Sequence, residues 1–270
     1  MKNCLKFTTL LLFVAFFGAC TKDKEEKGSI PSDHYVLSPD GKILLKWTNP
    51  STVEIDFQAD EQLSKVTKIV EGAFAESERL ERVNLFNVTS IEGLAFVGCK
   101  FLNSIVMPKV TSIGTAAFSG CTSLSSIQIP NGVTSIGEYA FEGCTSLSSV
   151  QIPNGVTRIE HGTFRDCTSL SSVQIPNGVK IIETEAFSGC TSLSSVQIPN
   201  GVKIIRGDAF SGCTSLIRFV ITAETPPDCC SYIFGDSPNV NLNIYVPNGS
   251  VEIYKTSSPW SFYKEKIKPI

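Results

Sequence analysis

Apolar and polar residues alternate along the middle of this chain in a pattern that repeats every 23 residues. Each unit reads F-x-x-C-T-S-L-S-S-[IV]-Q-I-P-N-G-V and ends in a short variable run before the next phenylalanine. Four near-identical units fill residues 118–209. The recurring positions are Phe118, Phe141, Phe164, Phe187 and Phe210, with Cys121, Cys144, Cys167, Cys190 and Cys213. A period of this length predicts a solenoid, in which each repeat forms one coil stacked on the last.

The first half of each unit has the pattern of a short strand with one buried face. In the unit that begins at Phe118, Ile127 and Ile129 alternate with Ser126 and Gln128. The sequence Pro-Asn-Gly at 130–132 then predicts a turn, because proline presets φ and the next two residues tolerate the left-handed region. Stacked coils would place like residues about 4.8 Å apart, so that the strands form a parallel sheet.

The second half of the unit leads back to the next phenylalanine. Val133 and Ile136 begin this return path, and Ala140, Phe141 and Cys144 follow with helix-like spacing. The repeated cysteines are predicted to be core thiols, since a buried free cysteine behaves as a small hydrophobic residue. Their side chains should point inward in parallel, which is poor geometry for a disulfide.

The segments on either side of the regular units are predicted to seal the solenoid, which is assigned to residues 61–221 and includes two imperfect coils of 22 residues. Residues 33–60 carry hairpin turn chemistry at 38–41 and are assigned as an N-terminal cap. Residues 222–270 contain an alternating strand pattern and an amphipathic helical pattern, and are assigned as a C-terminal cap. The expected fold is therefore a solenoid of 22- and 23-residue coils with a parallel β-sheet, a hairpin cap and a strand–helix cap.

The N-terminus has the features of a targeting segment. Residues 1–20 combine two early lysines with an apolar run of eight residues, too short to span a bilayer, and end in Phe-Gly-Ala-Cys. This ending resembles the bacterial lipobox, which implies that Cys20 is acylated and becomes the mature N-terminus. The alternative is an ordinary secretory signal with a chance cysteine. Polar residues 21–32 are predicted to form a disordered tether, and Lys-Glu-Glu at 24–26 resembles the export signal of Bacteroidota surface lipoproteins.

The repeat itself resembles a known family. The landmarks L-x-x-[IL]-x-[IL]-P, the return isoleucine and A-F-x-x-C match the BspA-like leucine-rich repeat, also called the Treponema pallidum type, over roughly residues 55–221. The Y-V-P-x-G-S…Y…W stretch near the C-terminus also looks like the cap of such proteins. The resemblance implies a leucine-rich repeat fold and a surface protein that binds host or bacterial partners. Together with the lipobox-like ending at Cys20, it leads to the expectation of a lipid-anchored protein of the outer membrane, exposed at the cell surface.

Composition and motifs exclude several classes of function. Charged residues are 18% of the chain and the net charge is −3, which argues against binding to nucleic acid, since that needs a basic surface. No G-x-S-x-G, Walker, dinucleotide-binding or H-E-x-x-H motif is present, and the chain has two histidines. We therefore expect no catalytic residue, no cofactor and no metal site, and contact with a membrane through the lipid anchor only. Cys229 and Cys230 have no assigned role.

Two surfaces could bind a partner. The first is the exposed strand face with its column of glutamines, which offers no aromatic platform for a sugar. The second is the variable run before each phenylalanine, and it is the better candidate because identical coils cannot discriminate between partners. The candidate ligand-binding residues are Glu138, Tyr139, Glu160, His161, Glu183 and Glu185. Their acidity suggests a partner with some basic character.

The expected function is non-catalytic binding or adhesion to a protein or glycan. The alternative is a structural spacer or a subunit of a surface complex.

Overall fold

The computed structural model describes residues 29–230, 232–235 and 239–270. The predicted signal segment, Cys20 and most of the predicted tether lie outside these residues. The described chain is a solenoid that carries two short strands in most coils. In chain order the strands are β1 (Tyr35–Leu37), β2 (Ile43–Trp47), β3 (Glu54–Asp56), β4 (Lys68–Ile69), β5 (Arg82–Asn84), β6 (Ser90–Ile91), β7 (Ser104–Val106), β8 (Ser112–Ile113), β9 (Ser135–Ile136), β10 (Ser149–Gln151), β11 (Arg158–Ile159), β12 (Ser172–Gln174), β13 (Ile181–Ile182), β14 (Ser195–Ile198), β15 (Ile204–Ile205), β16 (Arg218–Ile221), β17 (Asp228–Cys229), β18 (Asn243–Val246) and β19 (Ile267–Pro269).

The strands form two parallel faces rather than the single ladder expected from the sequence. The front sheet contains the Ser-Val-Gln strands and the strands aligned with them, in the groups β3-β5-β7, β10-β12 and β14-β16-β18-β19. The return sheet contains the hairpin strands β1 and β2 and the two-residue strands, in the groups β1-β2-β4-β6-β8-β9 and β11-β13-β15-β17. Register is like over like, as predicted: Ser149 pairs with Ser172, and Gln151 pairs with Gln174.

The far side of each coil is a chain of turns and not a helix, which corrects the helix-like reading of Ala140, Phe141 and Cys144. Alternate amides there point to different partners. The Phe141 N–H donates to Thr163 O of the next coil at 2.9 Å, whereas the Cys144 N–H donates to Phe141 O within its own coil at 3.2 Å. An α-helix would need every amide to bond within its own segment, so bonding between coils replaces it.

Two backbone positions per coil adopt the left-handed region to allow this alternation. Two residues after the phenylalanine, Gly143 has a φ of 66°. Two residues before it, Tyr139 has a φ of 55°. Glycine takes this conformation without steric cost, whereas other residues do so rarely. Glycine marks the first position in most coils, with Glu76 and Asp166 as the exceptions. The sequence conceals the second position, where the non-glycine residues are Leu94, Ala116, Tyr139, Glu185 and Asp208.

The core is built from identical side chains stacked on one another. The phenylalanine rings from Phe74 to Phe210 lie parallel, with 4.7 to 5.5 Å between the centroids of neighbours. Trp47 extends this column into the N-terminal hairpin, 5.6 Å from Phe74. The predicted hairpin is confirmed: β1 pairs antiparallel with β2, and β2 then pairs parallel with β4.

The C-terminal segment seals the other end of the solenoid, as predicted from its strand and helix patterns. Strand β18 adds to the front sheet and is followed by helix α1 (Val251–Thr256), a 3-10 helix at Trp260–Lys266 and strand β19. Further 3-10 helices lie at Ser32–His34, Leu63–Lys65 and Asn248–Ser250. Among the described residues, no helix combines the length and apolar character needed to cross a membrane.

The repeat cysteines are buried free thiols, which confirms their assignment to the core. Each thiol donates to the carbonyl of the phenylalanine one coil earlier, at 3.1 to 3.2 Å; the Cys144–Phe118 and Cys167–Phe141 pairs are examples. The same carbonyl accepts the N–H of its own cysteine. Both lone pairs of a buried oxygen are thus used, which explains why cysteine rather than alanine suits this position.

We expect thiol-reactive reagents to leave these cysteines unmodified in the folded protein. Burial raises the pKa of the Cys144 and Cys167 thiols well above the ordinary value, so almost no thiolate forms near neutral pH. Cys230 is exposed and should react readily. Peptide mapping by mass spectrometry after brief treatment with iodoacetamide measures each site, and treatment in denaturant should label all of them. Rapid native labelling of Cys144 and Cys167 would show that the proposed register is wrong.

Candidate functional site

The variable run before each phenylalanine forms a ridge on the surface, which we define as residues 137–140, 160–163, 183–186 and 206–209. Coil-to-coil hydrogen bonds hold its backbone in place. The Tyr139 N–H donates to His161 O at 2.9 Å, and the Gly162 N–H donates to Thr184 O at 3.1 Å. The ridge is therefore a fixed strip in which side chains of successive coils lie beside one another.

Tyr139 and His161 form one aromatic unit on this ridge. Their ring centroids are 4.8 Å apart and the rings meet edge to face, at 82°. The tyrosine ring lies over Gly162, where an added Cβ would come within 2.5 Å of it. Glycine at this position thus makes room for the tyrosine. Both rings are half-buried, so each still presents part of its surface to a partner.

Glu160 and Glu183 occupy the same position in successive coils and share the guanidinium of Arg158. Arg158 contacts Glu160 at 3.3 Å and also pairs with Glu183, which receives Arg206 at 3.6 Å on its other side. The Glu183 side chain is only 15% exposed. Burial raises the pKa of the Glu160 carboxyl, as do the carboxylates of Glu183 and Glu138, while Arg158 lowers it.

The two remaining candidate residues, Glu185 and Glu138, differ in whether an arginine neutralises their charge. Glu185 accepts from Arg165 Nη1 at 2.8 Å, and Arg165 also approaches Glu142 at 3.9 Å. Glu138 is exposed, and no ion pair reaches it within the part of the chain that the structure describes. The sequence predicts an acidic ridge, but the structure interleaves three arginines with its carboxylates. The attraction to a basic partner is correspondingly weaker than composition alone suggests.

The glutamine face is exposed, as expected from the alternation. Gln151 and Gln174 lie side by side in the front sheet with their side chains in solvent. The regular coils carry no aromatic residue on this face. Nearer the C-terminus the same sheet presents Tyr245, whose ring is covered by the Arg218 guanidinium at 4.2 Å.

The two adjacent cysteines do not share an environment. Cys229 lies in β17 and pairs with Ile205, and burial raises its pKa to about 12. Cys230 is exposed next to it. In residues 29–230, 232–235 and 239–270, no group of three or more histidine, cysteine, aspartate or glutamate side chains is placed to hold a metal ion.

The stacked coils match a defined family of repeats. Six copies of the BspA type leucine rich repeat region are found, in overlapping matches to residues 54–168, 111–241 and 159–268. The chain belongs to this family. No curated protein matches the sequence.

Two solved structures of bacterial leucine-rich repeat proteins resemble the chain over most of its length. A leucine rich cell surface protein from Faecalibacterium prausnitzii is 31% identical over 76% of this chain, with a TM-score of 0.64. This chain covers 57% of the length of that protein. The leucine rich repeat protein of T. pallidum is 28% identical over 71% of this chain and 81% of its own, with a TM-score of 0.50.

The sequence predicted which positions of this BspA-type solenoid form the ridge, but it did not predict the ion pairs between them. Arg158 and Glu183 are 25 residues apart in the chain, slightly more than the 23-residue period. A comparison of equivalent positions therefore does not align them. The sequence nevertheless contains a signal for this ion pair. Arg158 lies two residues before the ridge carboxylate Glu160, and it pairs with Glu183, the equivalent carboxylate of the next coil.

Proposed function

We propose that this chain is a non-catalytic, lipid-anchored protein of the outer membrane that is exposed at the cell surface and binds a partner through the ridge. The main support is that variable side chains are held rigidly on otherwise identical coils. A specific interface buries about 800 Å² per partner, more than one coil offers, so contact must extend over several coils. The relative from F. prausnitzii, described as a cell surface protein, is consistent with surface display.

The Tyr139–His161 unit supplies the anchor in this proposal, and the ion-paired carboxylates supply orientation. Tyrosine and arginine are the residue types that most often dominate binding energy. Around them the regular coils offer serine, threonine and glutamine, which donate and accept hydrogen bonds but bury little apolar surface. We therefore expect modest affinity, with a salt dependence set by Glu138 and Glu160 rather than by every ridge carboxylate.

Replacing Tyr139 by alanine should weaken binding of the partner about tenfold, because it removes the anchor ring and leaves Gly162 uncovered. Glu160→Lys should weaken binding of a protein partner to a similar degree and reduce its salt dependence. A partner is first isolated by pull-down from host matrix extract and from the parent cell envelope, and affinities are then measured by surface plasmon resonance. Tyr232→Ala and Glu252→Lys, which change the same residue types at exposed positions of the C-terminal region, are the matched controls.

The ridge variants also discriminate between the rival functions. Equal affinity of both ridge variants and the wild type would move the site to the glutamine face or to a cap. A glycan partner would tolerate Glu160→Lys better than Tyr139→Ala. If neither extract yields a partner, the chain is better described as a spacer or as a subunit of a surface complex.

The membrane anchor is tested separately. We expect mass spectrometry of the detergent-extracted protein to find a diacylated or triacylated Cys20 at the mature N-terminus, because Phe-Gly-Ala-Cys resembles a lipobox. The variant Cys20→Ala should lose the lipid and leave the membrane fraction. Protease treatment of intact cells tests outward display. An unmodified Cys20 in the membrane-extracted protein would contradict the anchor, and full protection from the protease would contradict the display.

A further inference from the structure

The front sheet is interrupted between β7 and the segment at 125–131. Strand β7 pairs with β5 on one side, and Ser126 pairs with Ser149 on the other. Within the described residues, no backbone hydrogen bond joins 103–108 to 124–131. The corresponding bond is present in neighbouring coils, where the Ser148 N–H donates to Ser125 O at 3.1 Å and the Asn103 N–H donates to Glu81 O at 2.9 Å.

The separation is confined to the front of these two coils. On the return side β8 pairs with β9. On the far side the Phe96 N–H donates to Ala117 O at 2.8 Å, and the Ser123 N–H donates to Lys100 O at 3.1 Å. The coils are therefore joined at both ends of the opening and part between them. The result is a cleft of about 690 Å³, within the range of ligand-binding pockets.

A change in coil length coincides with the position of this cleft. The front sheet also lacks pairing between β12 and β14, where both coils have 23 residues, so a difference in length is not the only cause of unpaired front strands. The coil that begins at Phe96 has 22 residues and turns through Pro108-Lys109 before Val110. The next coil has 23 residues and turns through Pro130-Asn131-Gly132 before Val133. The coils that begin at Phe74 and Phe96 have 22 residues, and the four that begin at Phe118, Phe141, Phe164 and Phe187 have 23. The extra residue is thus accommodated at one junction, directly beside the unpaired segment.

The lining of the cleft indicates what it could bind. Its floor includes Ile105 and Ile127, whose side chains are 7% and 9% exposed, and its walls include Ser104, Ser126 and Gln128. No lining residue carries a charge, and none is aromatic. A charged ligand would gain no partner there, and a sugar would gain no stacking surface. One wall is the free edge of strand β7, and the other is the segment around Ser126, which pairs only with Ser149 on its far side. Both walls therefore present unused backbone donors and acceptors to the cleft.

We propose that this cleft binds an uncharged, extended peptide segment of a partner protein, which completes the front sheet between β7 and Ser126. The cleft continues an existing ladder, so a bound strand would find the same hydrogen-bonding pattern on both sides that the neighbouring coils use. A segment of about five residues matches the length of the opening. β-Branched residues at alternate positions would cover Ile105 and Ile127. This site is separate from the ridge and does not depend on ridge binding.

Hydrogen exchange of the full chain tests whether the edges are free. Amides in 125–129 should exchange at least tenfold faster than those in 148–152, which occupy the same positions one coil later. Segment 148–152 pairs with β12 on one side, and on the other side Ser148 and Ser149 bond to Ser125 and Ser126. Equal protection of the two segments would show that the ladder is closed and would overturn the proposal.

Binding is tested with an acetylated and amidated peptide of residues 145–154, Thr-Ser-Leu-Ser-Ser-Val-Gln-Ile-Pro-Asn. It is uncharged and has the alternation of a front strand. We expect saturable binding by fluorescence anisotropy and new exchange protection in both 103–107 and 125–129. A peptide methylated on the nitrogens of two adjacent residues, Val150 and Gln151, loses one donor toward each wall and should bind at least tenfold more weakly. Equal binding of the methylated peptide would overturn strand pairing.

Two matched substitutions locate the site. Val106→Arg places a charge in the wall and should weaken peptide binding at least tenfold, whereas Gln151→Arg, at the equivalent position in a paired coil, should change it less than twofold.

Inserting one glycine between Lys109 and Val110 equalises the lengths of the two coils beside the cleft and should close it. Unchanged binding in Val106→Arg would contradict the proposal, as would binding of a neutral oligosaccharide in this cleft where the peptide does not bind. Tyr139→Ala should leave peptide binding intact, which separates this site from the ridge.

Discussion

Replacing Phe164 by alanine is expected to lower the free energy of unfolding by about 3–5 kcal/mol, the usual cost of emptying a buried aromatic site. Phe164 is fully buried, and its ring stacks between Phe141 and Phe187 at centroid distances of 5.5 and 5.4 Å. Alanine would leave a gap in the middle of the column. Neither neighbour can move into it without breaking its own contacts with the next coil.

The loss should appear first as local opening of the coils around position 164. Coils of a solenoid contact only their neighbours, so one damaged coil need not unfold the whole array at once. Urea denaturation gives the total loss, and hydrogen exchange shows where protection falls. The control is Phe101→Ala, also in a repeat coil but 56% exposed, which should change stability by less than about 0.5 kcal/mol. Similar losses in the two variants would contradict the stacked-column interpretation.

The period of the sequence determined most of the fold in advance. A 23-residue interval between identical landmarks requires like residues to stack, so Ser149 over Ser172 and Phe141 over Phe164 could be predicted without coordinates. The spacing of Ala140, Phe141 and Cys144 led to the wrong prediction of a helix. Side-chain spacing does not reveal which backbone amides bond to the next coil. Left-handed conformations at Tyr139 and Glu185 were hidden because neither residue type marks that region.

The candidate sites were less predictable, for reasons that lie in the contacts between coils. The ridge follows from variability at fixed positions, but its charge does not, since Arg158 meets Glu183 only after the chain has completed a full coil. The cleft beside β7 required a different comparison. A one-residue difference in coil length is visible in the sequence, but only the coordinates show that the front strands are unpaired at this junction while the return strands stay paired.

Replacing Trp260 by alanine should destabilise the C-terminal cap by about 3–5 kcal/mol. Trp260 is buried, and its Nε1–H donates to Pro227 O at 2.7 Å. Its ring packs edge to face against that of Tyr254, with 5.7 Å between the ring centroids. Tyr254 in turn donates to Ala223 O at 2.9 Å. These contacts join the cap to the segment that leaves the last coil. Alanine would remove both the packing and the donor to a buried carbonyl.

Loss of this anchor should expose an edge that the cap protects. Strand β19 ends the front sheet with Lys268 and Pro269, residue types that discourage further strand pairing. If the cap detaches, β18 becomes the exposed edge and molecules should associate through it. Size-exclusion chromatography with light scattering measures this, with Phe262→Ala as control because its ring is 71% exposed in the same 3-10 helix. A monomeric Trp260→Ala variant with unchanged stability would mean that the last coil does not depend on the cap.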